Sequence, residues 1–534
     1  MLTLAKDFVM KAHEKGIRDA KSLQELKTAF AAGNGKVLFT NVELIEAYRA
    51  LVKEGLMVED ELLFKVLRKR GVRSQSGIAS ITVITKAFPC PGSCIFCPSE
   101  PGMPKSYLSN EPAVMRAILN DFDPFLQTLN RLRSLERSGH ITDKIDVIIS
   151  GGTFSFYPKK YQNDFVRGIY NALNAPKNKA RSLEEAQKIN ETAHHRCIGL
   201  SVETRPDHLD ERELIRLRKL GCTKIEIGVQ SLNDRVLAMN KRGHTVAEIA
   251  RAIKLTRDAA YKINCHMMPG LYGSNLQNDY DDFVELFRNP AYRPDWLKIY
   301  PCMVVPWSQL EKLYERGEFV PYEDEELMNL LIRIKQIVPK YCRITRLYRD
   351  IPAPTVIGGS RISNIRQLIQ ERMKIAGIKC NCIRCREIKG EAVNADALEL
   401  NVAEYDASDG REFFITFNDF STGADGIRRD KLASLLRLRF SSYSIEGKKH
   451  FIKELEGAAL IREVHVYGEQ VKVARRQVDA SQHLGLGKRM MQKAEEISKK
   501  HGFKKLAVIS GIGVREYYRK LGYRLEGTYM VKVF

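Results

Sequence analysis

Between residues 78 and 301, short apolar runs recur, each closed by glycine or polar residues: IASITVIT (78–85), IDVIIS (145–150), CIGLSVE (197–203), KIEIGVQ (224–230), KINCHMM (262–268) and WLKIYP (296–301). Their length and β-branched content predict buried strands. The segments between them have helical periodicity with recognisable ends. In DERELIRLRKLG, Asp210 stands as N-cap, Glu213 follows three residues on, and Gly221 is the stop. TVAEIARAIKL opens on a Thr245/Glu248 capping box and carries Ile249 and Ile253 on one face. Strands alternating with helices predict parallel βαβ units with right-handed crossovers. Six such units predict an α/β fold with a partial, TIM-like (β/α)6 barrel, whose chemistry gathers at the C-terminal ends of the strands.

The flanking regions have other patterns. Residues 1–75 are helical in period and end on the basic run KVLRKRGVR. Residues 305–350 read as helical, and PAPTVIGGSRIS then marks a turn-rich crossing before KCNCIRC. From about residue 395 longer alternating strands appear (EFFITF, LLRLRF, ALIREVHVYG), then a glycine loop, a helix, the strand KKLAVIS and a tyrosine-rich helix. The expected division is a helical basic segment at 1–75, the barrel at 76–350, a cysteine-bearing linker at 351–394 and an α+β domain at 395–534.

A chain of 534 residues exceeds one hydrophobic core. No apolar run approaches the ~20 residues of a membrane span, and the first residues, MLTLAKDFVMKAHEKGIRDAKS, lack the unbroken apolar stretch of a signal peptide. A cytoplasmic location is therefore expected. Lys and Arg exceed Asp and Glu by 86 to 65, a net +21 that points to a polyanionic partner. Lys65, Arg68, Lys69, Arg70 and Arg73 either face a phosphate backbone or form a solvated helix end. The eleven cysteines cluster, which in a reducing compartment favours metal ligation over disulfides.

CPGSCIFCP, directly after the first strand, places Cys90, Cys94 and Cys97 at Cys-x3-Cys-x2-Cys spacing with an aromatic residue before the third. A closed zinc site would need a fourth ligand. The spacing is the signature of radical S-adenosylmethionine enzymes, in which three thiolates hold a 4Fe-4S cluster and the open iron takes the amino and carboxylate groups of S-adenosylmethionine. On that resemblance Gly151 and Gly152, lacking a Cβ, would let the backbone approach the methionine amino group. Glu203 and Gln230 either hydrogen-bond the cofactor or shape the rim. Cys380, Cys382 and Cys385 suit zinc, with Cys302 as the candidate fourth ligand and Cys265, Cys342 or a histidine as alternatives. A second iron–sulfur cluster is the other reading of that triad.

Near the C-terminus, Gln482-x-x-Gly485-Leu486-Gly487-Lys488 opens an amphipathic helix, a backbone arrangement suited to phosphate. Its order relative to the flanking strands resembles GNAT acetyltransferases. That likeness implies that the loop grips the acetyl-CoA pyrophosphate and that the strand backbone Glu463, Val464, His465 and Val466 pairs with pantetheine. It also implies that Tyr518, with Tyr517 as neighbour, lies near the CoA sulfur; core packing is the other reading of both tyrosines.

The pairing of these two halves, together with SYLSNEPAVMRA, SGGTF, VETRPD, GVQSLND, KRGHTV, HMMPGL, LKIYP, RDIP and YYRKLGYRLEG, resembles the elongator complex protein 3 family over nearly the whole chain. The cysteine loop is the short prokaryotic form. The resemblance implies a tRNA acetyltransferase acting on carbon 5 of the wobble uridine, position 34. A 5′-deoxyadenosyl radical would take a hydrogen from the acetyl methyl group of acetyl-CoA, the carbon radical would add to uracil, and hydrolysis would leave 5-carboxymethyluridine. It further implies the tRNA anticodon stem-loop and an electron donor as partners, allows Elongator-like subunits without requiring them, and assigns Lys144 to acetyl-CoA. Zinc at the second cysteine cluster belongs to only part of that family. A protein-lysine acetyltransferase with a structural iron–sulfur site, and a tRNA-binding scaffold with an inactive radical site, are the competing readings.

Overall fold

The apolar runs of the central region assemble one parallel sheet in sequence order: β1 (Ala79–Ile84), β2 (Lys144–Ser150), β3 (Arg196–Thr204), β4 (Lys224–Gln230), β5 (Lys262–Met267), β6 (Trp296–Ile299) and β7 (Arg343–Arg346). This computed structural model describes residues 1–68, 78–174, 179–388, 397–422, 430–468 and 485–534. Register aligns Ile81 with Val147 and Ile225 with Ile263, so burial on both faces explains the near-continuous apolar runs. The helices begin where their caps predict: Asp210 accepts from the Glu213 amide, and Thr245 and Glu248 complete a capping box. β7 is an addition to the six expected strands. Its four residues, RITR, offer no apolar run, and it follows the helix Asp324–Ile337 within a stretch that reads as helical.

Four N-terminal helices, α1 (Leu2–Glu14), α2 (Ala20–Gly33), α3 (Asn41–Lys53) and α4 (Glu61–Leu67), close on their own core of Phe8, Leu26, Leu44, Ile45 and Leu63. Arg137 bonds Glu46 at 2.7 Å, and Gly139 fits against Ile45, Phe64 and Arg68, joining this bundle to the barrel.

A second, mixed sheet runs β13–β14–β12–β11–β10–β9–β8, built from β8 (Leu398–Ala407), β9 (Gly410–Asp419), β10 (Lys431–Phe440), β11 (Ala458–Val466), β12 (Lys505–Val508), β13 (Arg524–Glu526) and β14 (Tyr529–Val533). β11 and β12 run parallel and pair only over Ala458–Ile461 and Lys505–Val508, after which β11 continues to Val466 paired with β10.

This sheet docks on the N-terminal ends of the barrel strands. Arg462 bonds both oxygens of Asp295, at 2.5 and 2.7 Å, and Arg439 bonds Asp258 at 2.6 and 2.9 Å. Arg437 lies 3.4 Å from Asp295 and bonds Glu463 at 2.9 Å, while Glu412 meets Arg439, Arg462 and Arg257. Four guanidinium groups thus face four carboxylates, all almost wholly out of water, and the charges balance. Charges so deeply buried persist only when paired and hydrogen-bonded. Elsewhere on the interface contact is tight: a Cβ on Gly511 would lie 2.1 Å from the Ile198 carbonyl oxygen, and Arg218 bonds the Ser510 and Thr528 carbonyls at 2.7 and 3.0 Å. The cysteine loop and the second sheet therefore occupy opposite ends of the barrel strands, separated by about 20 Å of strand at ~3.3 Å per residue.

Candidate active site at the strand ends

The loop after β1 is held from several sides. The Ile95 amide donates to Asn240 O at 3.3 Å, the Leu310 amide to Ile95 O at 2.9 Å, and the Cys97 amide to Cys94 O at 3.2 Å. Cys94 is buried, and Cys90 and Cys97 are half-buried. The Cys97 thiol and then Arg242 hold the Cys94 thiol below its ordinary range. Around the loop, Gly151 has φ +137° and a Cβ there would lie 1.9 Å from Thr85 Oγ1; Gly152 has φ +100°. Only glycine serves in such a position. Gln230 adopts φ +74°, and its Oε1 is buried without a hydrogen-bond partner among the described residues. Arg205 Nη1 is likewise buried and unpartnered, in the space left by the missing Cβ of Gly92. Arg205 Nη1, orphaned against the thiol loop, and the buried, unpaired Gln230 Oε1 are what a polar ligand would satisfy, so these residues fit an iron–sulfur cluster with S-adenosylmethionine beside it.

Glu203 accepts from Tyr107 Oη at 2.6 Å and lies 3.5 Å from Lys298 Nζ. Lys298 also bonds Glu226, which takes His266 at 3.1 Å and sits 4.0 Å from Lys224; Lys224 lies 3.5 Å from Asp146. A line of alternating charge thus fills the barrel interior from the lower mouth to the rim, where apolar layers are usual. Lys224, Lys262 and Arg343 surround the Trp296 ring at 4.2, 5.9 and 5.7 Å, at the mouth facing the second sheet. Lys144 is the first residue of β2, beside Arg196 on that same side, and burial pushes its ammonium below the ordinary lysine value.

In the second sheet, β12 ends at Val508 opposite Ile461 while β11 runs on to Val466, and Val464, His465 and Val466 are half-buried near the start of the helix Leu486–Lys500. Gly485 caps that helix at φ +66°, Leu486 packs inward, and Lys488 is exposed. A Cβ on Gly487 would lie 2.8 Å from Tyr517 Oη and 3.8 Å from Val466. Tyr517 therefore faces the glycine turn, whereas Tyr518, favoured from sequence, is buried in the core against Tyr523. Adjacent positions on a short helix point to different faces, and sequence alone does not say which faces the turn. The side chain of Glu463 is committed to Arg437. Gln482 lies outside the described residues, as do Lys69, Arg70 and Arg73 of the basic run; Lys65 and Arg68 are at the end of α4.

The sulfurs of Cys380, Cys382 and Cys385 lie within 4.8 Å of one another, close enough for a single ion. Cys302 is not with them. It packs beside Cys94, Ile95, Phe96 and Leu271 under the first cysteine loop, so it is corrected here as a fourth ligand. The neighbouring cysteine is Cys342, whose carbonyl accepts from the Ile383 amide at 2.9 Å. Lys335 Nζ stands 3.8 Å from Cys385 Sγ. No helix among the described residues is long and apolar enough to cross a membrane.

Sequence reasoning missed Arg205 and Arg242. Arg242 Nη1 donates to Cys94 Sγ at 3.1 Å across 148 positions, and only the quoted segments VETRPD and KRGHTV hinted at it.

Residues 88–287 match the Radical SAM superfamily and residues 294–375 the Radical SAM C-terminal domain. The tRNA uridine(34) acetyltransferase of Methanocaldococcus infernus is 42% identical over 497 residues, covering 90% of each chain. Human Elongator complex protein 3 is 38% identical over 542 residues, covering 98% of this chain and 95% of the relative. The solved structure of archaeal Methanocaldococcus infernus Elp3 with residues 1–46 deleted superposes with TM-score 0.74 at 39% identity, over 86% of this chain and 100% of that one. The three-thiol loop on a parallel half-barrel, joined to a second mixed sheet and matched along nine-tenths of a curated relative, makes this chain a member of the Elongator complex protein 3 family of tRNA uridine(34) acetyltransferases, within the radical S-adenosylmethionine superfamily.

Proposed function

We propose that the chain converts the wobble uridine of tRNA to 5-carboxymethyluridine, using acetyl-CoA and S-adenosylmethionine. The observation that carries this reading is the presence in one chain of the Cys90–Cys97 loop with its orphaned polar atoms and of the stretch of β11 that runs on past the end of β12 beside a glycine-capped helix. The cluster and S-adenosylmethionine supply, when bound, a one-electron cleavage that yields an organic radical. Over the whole reaction the acetyl methyl carbon replaces hydrogen 5 of uracil and water releases CoA. S-adenosylmethionine is the two-electron oxidant, ending as methionine and 5′-deoxyadenosine. Cys90, Cys94 and Cys97 hold the cluster, while Gly151, Gly152, Gln230 and Glu203 receive S-adenosylmethionine. Val464–Val466, Gly485 to Lys488 and Tyr517 receive acetyl-CoA, with Lys144 reaching it from the barrel. Lys65 and Arg68 belong to the tRNA face.

Cys380, Cys382 and Cys385 are proposed to hold zinc, pinning the crossing between the two sheets, with Cys342 the adjacent thiol; metal analysis finding no zinc in the purified protein removes this part. The competing reading, acetyl transfer to protein lysines, is separated by acetyl-CoA hydrolysis. Total tRNA is expected to stimulate it and peptides to leave it unchanged; stimulation by peptides alone overturns the tRNA reading.

A further inference from the structure

We infer that Arg205 and Arg242 form a fixed pair of cations that raises the reduction potential of the iron–sulfur cluster in the Cys90–Cys97 loop, and so sets how strong a reductant the protein needs. This rests on the iron–sulfur reading above. Arg242 donates from Nη1 to Cys94 Sγ at 3.1 Å and from Nη2 to Gly228 O at 2.7 Å, with its guanidinium 5.9 Å from the Phe96 ring. Its own carbonyl accepts from Arg205 Nη2 at 2.6 Å. Arg205 is clamped in turn by two bonds to Asp207, at 2.8 and 2.9 Å, which leaves Nη1 aimed into the loop where Gly92 has no Cβ. Both arginines are nearly excluded from water.

Apart from the bond to Cys94, the contacts that hold the pair come from the barrel, namely the Gly228 and Arg242 carbonyls and the Asp207 carboxylate, so the cations stay in place in either redox state. Guanidinium groups remain charged at any working pH. Reduction adds one electron, taken from an external donor, and so one negative charge to the cluster. Hydrogen bonds to cluster sulfurs and the surrounding net charge are the terms by which proteins set such potentials. A desolvated cation at hydrogen-bond distance favours the reduced form far more than a solvated one would. Asp207 offsets part of the charge of Arg205, whereas Arg242 is held by a carbonyl and a thiol, without a carboxylate partner among the described residues. Arg242 therefore contributes the larger share.

The test is an EPR-monitored redox titration of the anaerobically reconstituted full chain, with iron and sulfide measured on each sample. Arg242→Gln is expected to lower the midpoint by about 59 mV, a tenfold loss in the reduction equilibrium. Arg242→Lys keeps the charge and should shift it less. Asp207→Asn removes the anion that offsets Arg205 and should move the midpoint upward. Opposite shifts in the Gln and Asn variants support the inference, because a merely structural role would not change sign. Variants that carry full iron and sulfide with an unchanged midpoint overturn it. If Arg242→Gln fails to assemble its cluster, Asp207→Asn decides alone: an upward shift supports the inference and an unchanged midpoint overturns it. A wild-type chain without iron and sulfide overturns instead the iron–sulfur reading beneath it.

Discussion

Cys94→Ala is expected to bring iron and acid-labile sulfide to background and to abolish wobble-uridine modification while the fold persists. Cys94 is buried among Ile95, Phe96, Val236 and Leu271, so alanine leaves a small cavity and no steric clash. Two remaining thiolates do not retain a cluster whose open iron must be defined by three protein ligands. The loss should be selective. On the zinc reading proposed for the second triad, Cys94→Ala is expected to keep zinc, whereas Cys382→Ala is expected to lose zinc and keep iron. Elemental analysis of the two variants side by side checks this. Iron retained at wild-type level in Cys94→Ala would show that the loop is not the cluster's seat.

Asp295→Ala is expected to produce the largest loss of stability at any single interface position, about 3–5 kcal/mol, the usual cost of stripping one partner from a buried ion pair. Asp295 takes three roles: it receives Arg462 through both oxygens, stands 3.4 Å from Arg437, and accepts the Ile263 amide at 2.9 Å. Burial alone would raise its pKa, but Arg462 and then Arg437 outweigh burial and hold it well below the usual carboxylate range. The depressed value means its stabilisation is present above about pH 4, the ordinary aspartate value, and is lost only as acid protonates the folded state. Denaturant unfolding at pH 7 should show the first transition at lower denaturant, with faster proteolysis between the two sheets. Asp295→Asn, still able to accept from Ile263, should recover part of the loss. An unchanged midpoint in the alanine variant would mean that the four-arginine cluster does not hold the interface.

How much of this was legible in the sequence varied with the range of the interactions involved. The barrel strands were readable because burial on both faces leaves an unbroken apolar run, and the Thr245/Glu248 and Asp210 caps because they act within four residues. β7 was not, since RITR is too short and polar to reveal a strand at the sheet edge. The cysteine loop announced itself by spacing, yet its contact with Arg242 depends on the barrel closing over 148 residues. Cys302 and Cys385 are both near turns in the sequence, and only the fold shows that they serve different surroundings. Tyr517 and Tyr518 differ by one position and by which face of a single helical turn they occupy. The balanced arginines and carboxylates of the interface were likewise hidden: Arg437, Arg439 and Arg462 lie within strands whose pattern otherwise reads as apolar.

The most direct test of the central claim is mass spectrometry of nucleosides from tRNA incubated anaerobically with the reconstituted chain, S-adenosylmethionine, a reductant and acetyl-CoA carrying carbon-13 in its acetyl group. Both labelled carbons are expected on carbon 5 of uridine 34, with 5′-deoxyadenosine released alongside. Unlabelled uridine 34 from a chain that holds its full iron and sulfide would contradict the account.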